Sequence, residues 1–227
     1  MPYTKMVPNN TQFTTIAPNL NFQINSLGNN FQPSYNIKDI DFFSATHELY
    51  VAVGSHSASG QDYLYQINQD NGEFIPVCGT GLSEITTLSF HPTDNKLWVW
   101  NNDEGLFIVD INSIDNGTCY QTEVLSHPAT VTAITWDNAG QILYGLVETT
   151  LYKYFSSTGA VEIACDNFPT DVTAIDTLAD GSLLLAGHNA NENHLYSFDP
   201  NTCSIIAQAP LAATNYGGIA GITWQCY

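Results

Sequence analysis

The residues best able to do chemistry stand in pairs and short runs. Asp41 and Asp176 hold the same place in two copies of a short internal repeat. Facing each other across a channel, two carboxylates are the equipment of glycoside hydrolysis, one protonating the leaving oxygen while the other activates water or attacks the sugar. Inner-strand aspartates that hold turns or channel water are the plainer alternative. Asp103 and Glu104 follow Asn101 and Asn102, an oxygen-rich run suited to Ca²⁺. That run lacks the DxDxDG spacing of a calcium loop, so at most one weak Ca²⁺ site is expected there, and no other cofactor. His188 and His194 bracket Glu192, with Asn189 and Asn191 between them. The spacing fits no standard zinc pattern, and an Asn-rich solvated loop explains the run as well. Trp98 and Trp100 alternate, so their rings share one strand face. Trp100, beside Asn101 and Asn102, could stack on a sugar whose hydroxyls the amides bind; packing between sheets is the alternative use of both indoles. His56 in another polar run joins Trp100, Asn101, Asn102, His188, Asn189 and Asn191 as candidate ligand-binding residues. No catalytic residue is assigned, since the chain has no GxSxG, HExxH or phosphate loop.

Charge narrows the partners further. Against 22 acidic residues the chain sets Lys5, Lys38, Lys96 and Lys153 and no arginine, a formal net charge of −18. Such a surface repels phosphate backbones and anionic headgroups, which disfavours nucleic acid and membrane surfaces. It also suits solubility in a salty or extracellular medium. The N-terminus lacks the apolar core of a signal peptide and no run is long enough to span a membrane. The chain is then either a cytosolic protein or a mature domain cut from a longer, multidomain secreted one, and the second is the expectation, with an extracellular or cell-surface location. Cys78, Cys119, Cys165, Cys203 and Cys226 contain no CxxC pair. Because they fall in outer segments of different repeats, most are expected to be unbridged apolar fillers.

Those repeats position everything else. IKDIDF from Ile37, ITTLSF from Ile85, VTAITW from Val131, VTAIDT from Val172 and IAGITW from Ile219 recur at intervals of 41 to 48 residues. A period of roughly 40–50 residues built from short strands is that of a β-propeller blade. Between the copies lie further strands and hairpin turns, among them Asp70-Asn71-Gly72, Asn138-Ala139-Gly140 and Ala179-Asp180-Gly181. The reading is an all-β, single-domain, five-bladed propeller over residues 1–227, with blades at about 37–83, 84–129, 130–170, 171–217, and 218–227 plus 1–25. The last blade is closed by N- and C-terminal strands. Tyr3–Pro18 matches Tyr196–Pro210, which makes the N-terminal segment the third and fourth strands of that blade. Three arrangements then remain open: a three-stranded closing blade, residues 3–7, 11–16 and 20–25 as its second to fourth strands, or a piece of a longer protein.

The pattern V-x-A-I-x-W, an Asp/Asn/Gly turn, L-Y-G, then L-Y-x-x-D-P-x-T-G resembles the β-propeller repeats of bacterial surface and secreted proteins, the broad group with YVTN-type and quinoprotein-like propellers. The resemblance covers essentially the whole chain and implies a fold rather than a reaction. The expectation is a non-enzymatic extracellular or cell-surface module that binds a glycan or protein through its loop-rich face. The alternative is a metal-dependent glycan hydrolase or lyase at the central channel mouth.

Overall fold

The computed structural model describes residues 3–8, 13–16, 24–27, 36–54, 62–127, 129–169, 171–188, 193–211 and 219–225. These form strands and turns, with no helix among the described residues. Four strands follow each early repeat: β4 (Ile37–Phe43) to β7 (Phe74–Gly79), β8 (Ile85–Phe90) to β11 (Thr118–Ser126), β12 (Ala133–Trp136) to β15 (Val161–Cys165), and β16 (Val172–Thr177) to β19 (Ser204–Leu211). Each group is an antiparallel meander. The hairpin turns use left-handed backbone where the sequence supplies the residues for it, as at Gly72 (φ 76°) and Gly159 (φ 71°).

The two chain ends share a sheet, ordered β20 (Ile219–Gln225), β1 (Tyr3–Pro8), β2 (Phe13–Ile16), β3 (Ile24–Leu27). Thr4 lies opposite Trp224 and Met6 opposite Ile222. Three N-terminal strands are thus present, and β1 is second in order rather than third. The match to Tyr196–Pro210 misled by one strand because outer hairpins of any repeat share tyrosines, turn residues and β-branched runs; such a match identifies hairpin type but not rank. A further difference from separate blades is that β4–β7 and β8–β11 form one eight-stranded sheet. The join is a single parallel bridge, Thr118 opposite Gly79, with the Gly79 N–H donating to the Gly117 carbonyl at 2.8 Å.

The first strand of each group packs on the next: β4 on β8, β8 on β12, β12 on β16, β16 on β20, and β20 back on β4. Both faces of these strands are therefore covered, and the hydrophobic alternation expected of a half-exposed strand is lost; β8 reads Ile85-Thr86-Thr87-Leu88-Ser89-Phe90 with only Thr86 part-exposed. Apolar clusters fill the space between successive groups. One joins Tyr50 and Leu64 to Leu88, Val99 and Phe107, and another joins Tyr144 and Leu146 to Ile175, Leu185 and Phe198.

At the perimeter the structure corrects the cysteine expectation. Cys78 is bonded to Cys119 and Cys165 to Cys203, each pair with Cα atoms 5.6 Å apart. Distance between repeats was the reason to expect free thiols. The end of one outer strand, however, reaches the start of the outer strand in the following group. Each bridge spans about 40 residues of chain, so each is expected to contribute about 3–4 kcal/mol through the unfolded state. Cys226 lies outside the described residues. Iodoacetamide should label at most one of the five cysteines before a reductant is added, and replacing Cys78 and Cys119 together by serine should lower the melting temperature measurably. Labelling of three thiols in the unreduced protein would contradict one bridge, and labelling of all five would contradict both.

Candidate functional site

The third and fifth places of the repeat point into the centre, and their side chains replace the backbone ladder missing between first strands. Asp39 on β4 is 7% exposed. Its Oδ2 accepts from the Thr87 hydroxyl at 2.5 Å and from the Leu88 N–H at 3.0 Å, both on β8, while Oδ1 accepts from the Ile40 N–H. Thr87 in turn accepts from the Ile134 N–H of β12 at 2.9 Å. One carboxylate and one hydroxyl thus tie three strands. The same layer is kept small elsewhere by Ala133, Ala174 and Gly221. A Cβ on Gly221 would stand 2.5 Å from Asp39 Oδ1 and 2.8 Å from the Ile40 nitrogen, so glycine is the residue this close approach admits.

One layer along, Asp41 accepts from the Phe90 N–H at 2.7 Å, the Phe42 N–H at 2.7 Å and the Thr223 hydroxyl of β20 at 2.8 Å. Asp176 accepts from the Thr135 hydroxyl at 3.1 Å and the Thr177 N–H at 2.7 Å. Asp41 and Asp176 line one recess of about 250 Å³, with Ser44, His47, Trp136 and Asn138 on its walls. This recess lies at the ends of the first strands and their turns into second strands. That is the opposite mouth from the loop-rich face. Burial pushes the Asp39 carboxyl up to about 8 against the pull of its three donors. Burial likewise lifts Asp41 to about 6, opposed by Phe90, Thr223 and further donors.

On the loop-rich face the candidates separate. Trp100 is 7% exposed, and its indole N–H donates to the Ala129 carbonyl at 2.8 Å. It lies in one apolar cluster with Trp98 and Trp136. Asn101 is fully buried: its amide donates to the Ser83 carbonyl at 2.6 Å, and its Oδ1 accepts from the N–H groups of Asp103 and Glu104. It shapes the turn that presents Asp103 and Glu104, both exposed, and the half-buried Asn102. His188 is half-buried with Nδ1 2.8 Å from Asn193 Oδ1, and His194 is buried. His56, Asn189, Asn191 and Glu192 lie outside the described residues. Asp62, in the same polar run as His56, is buried and accepts from the Ile85 N–H at 2.7 Å, anchoring the start of β8.

A second hollow involves one residue of the quoted repeat pattern, the glycine of L-Y-G. Between β8–β11 and β12–β15 runs an apolar cleft of about 300 Å³, whose walls include Trp100, Leu125, Val131, Leu143, Gly145 and Val161. Apart from that glycine these residues look like ordinary core in sequence. Gly145 interrupts β13 (Ile142–Val147) at its fourth place, whereas the glycine of β17 (Leu183–His188), Gly187, stands at the fifth.

No family model and no curated protein matches the chain. Among solved structures it is similar over its full length to a chain of a crystallised nidogen/laminin complex, which is also covered completely, with a TM-score of 0.63 and 10% identity. An auxiliary nutrient binding protein from Bacteroides ovatus aligns with 92% of the chain at a TM-score of 0.55 and 12% identity, and the chain spans 53% of that protein's length. These likenesses establish a β-propeller-like fold.

The central carboxyls make stability depend on pH in a defined direction. Asp39 and Asp41 bind protons more tightly folded than unfolded, so between about pH 4 and the folded values near 8 and 6 the native state holds the extra protons. Stability should therefore fall as pH rises through that window. We expect a higher melting temperature at pH 5 than at pH 8. Asp39→Asn should flatten the dependence while costing about 1–3 kcal/mol, because one amide N–H must face a backbone donor. A variant that keeps the full pH dependence would remove Asp39 as its source.

Proposed function

We propose that the chain is a recognition module of a secreted or surface-displayed protein, built as a five-bladed ring whose last blade is assembled from both ends. The count rests on the closed succession of first strands β4, β8, β12, β16 and β20, and the secreted setting on the two disulfides.

The observation that carries recognition over hydrolysis is the use made of the channel carboxylates. Asp39, Asp41 and Asp176 each accept donors from a neighbouring first strand. Groups committed to holding the ring together are poorly placed to shuttle protons or attack a sugar carbon. What the rigid ring offers a partner is its loops. Asn102, Asp103, Glu104 and His188 belong to that face, and the candidates His56, Asn189 and Asn191 lie outside the described residues. Burial and its own hydrogen bonds take Trp100 out of the sugar-stacking role and give Asn101 that of a turn support. The two solved neighbours are a chain of a nidogen/laminin complex and an auxiliary nutrient binding protein. Both support binding without turnover, with a protein or glycan as the partner here.

Calcium enters this reading as a weak ligand at most, near Asp103 and Glu104. Stabilisation by CaCl₂ should be matched by NaCl at equal ionic strength, because screening of −18 charges requires no site. Saturation at micromolar Ca²⁺, lost in Asp103→Asn, would install a specific site instead. For the function itself, glycan arrays and partner capture should show binding that drops at least tenfold when Asn102, Asp103 and His188 are replaced together by alanine, with the melting temperature unchanged. Polysaccharide turnover abolished by Asp41→Ala or Asp176→Ala would move the protein to the hydrolase or lyase class.

A further inference from the structure

The register of the second strands shows why the apolar cleft exists. Ile40, Leu88, Ile134 and Ile175 hold one place in successive first strands, and the residues opposite them are Val51, Val99, Gly145 and Leu185. Three positions carry branched aliphatic side chains and the fourth carries none. A Cβ at Gly145 would meet Ile134 Cγ2 and Val131 Cγ1, both at 3.9 Å, an ordinary contact that requires nothing to move. The strand is continuous through this residue, with Ile134 and Tyr152 directly opposite, so no bulge requires a glycine. Glycine inside a strand weakens it and marks places where another molecule or backbone comes close.

The perimeter has a matching gap. Cys78 and Cys165 stand opposite Leu64 and Leu151, whereas Leu106 stands opposite Leu125 and Leu195 opposite Ala209. The disulfides join β4–β7 to β8–β11 and β12–β15 to β16–β19. Between β8–β11 and β12–β15, Leu125 takes the bridging place and lines the cleft with Val161, itself 50% exposed. The Trp100 indole in the wall is already bonded to Ala129. The other polar groups of the lining belong to His127, Tyr152 and Tyr154, and the remaining walls are aliphatic, so an occupant of this hollow gains chiefly from apolar contact.

Charge around the opening selects the remainder of the occupant. Glu104 and Glu148 are exposed and adjoin lining residues: the Glu104 carbonyl accepts from the His127 N–H at 3.1 Å, and Glu148 follows Val147. We propose that the cleft receives one large apolar side chain of a partner protein, presented on an extended segment with lysine or arginine on either side. A buried anchor surrounded by complementary charge is the usual form of an interface hot spot. The proposal deepens the recognition reading by choosing protein over glycan, and it rests on that reading.

The test uses the whole chain, its Gly145→Val variant, and fluorescent probes of sequence KKWKK, KKSKK and EEWEE. Valine restores the side chain the other second strands carry, so the variant should melt no lower than the unsubstituted protein. We expect KKWKK to bind, with KKSKK and EEWEE at least tenfold weaker, and Gly145→Val to lose at least tenfold for KKWKK. Equal binding of KKSKK would reduce the effect to general attraction by an acidic surface and overturn the cleft assignment. So would equal binding by Gly145→Val, or no binding of KKWKK at about 1 mM, an affinity limit near 4 kcal/mol. A glycan or protein captured equally by both proteins also overturns the cleft assignment, while the recognition reading stands.

Discussion

The fold depends on how strands that share no backbone ladder are held side by side. Within each sheet every neighbour is hydrogen-bonded through the main chain, but adjacent first strands meet through side chains in the centre. Asp39 and Thr87 draw β4, β8 and β12 together, Asp41 joins β4 to β8 and β20, and Thr135 with Asp176 joins β12 to β16. Second-place threonines extend the scheme outward: Thr86 donates to the Val131 carbonyl at 2.7 Å and Thr173 to the Ile219 carbonyl at 2.6 Å. A buried carboxyl is costly unless donors surround it, and here the donors are what must be connected. Its desolvation cost is thereby spent on closing the ring.

That requirement explains which features were legible from residues alone. The period, the turn residues and the small or polar third and fifth places all follow from repeating one supersecondary unit around a crowded centre, so each leaves a local mark. The placing of Asp41 and Asp176 in one channel was readable for the same reason. Their role was not, because it depends on donors about 40 or more positions away, such as Phe90 and Thr223. Trp100 leaves two uses open for the same reason. Alternation puts it on a face with Trp98, but whether that face meets solvent or the next sheet depends on the packing of Trp136 and Ala129 against it.

The cysteines show a different limit. Their places within the repeat are visible, but the expectation that outer strands of different blades lie too far apart to be bridged does not hold. In a ring of similar units, the end of one outer strand and the start of the next lie about a Cα–Cα bridging distance apart, 5.6 Å in both pairs. A cysteine at the end of one outer strand and another at the start of the following outer strand is therefore a bridge signature in this architecture. Cys78 with Cys119 and Cys165 with Cys203 satisfy it, whereas equivalent spacing in an unrelated fold would not.

The alternation of these bridges makes the ring uneven. Covalent ties pair β4–β7 with β8–β11 and β12–β15 with β16–β19, leaving the seam between the two pairs to the hub contacts and to apolar packing. At that seam Thr87 still bonds to Ile134 near the centre, while farther out Gly145 stands where the other second strands carry Val51, Val99 and Leu185, and Leu125 stands where two other groups carry a bridged cysteine. A propeller is stiff where the gaps between its units are filled, and here a hollow lies next to a secured hub. The hollow itself follows from Gly145 and Leu125, while the bridges tie the groups on either side of it into two pairs, so that the cleft lies between two covalently joined halves and not within one.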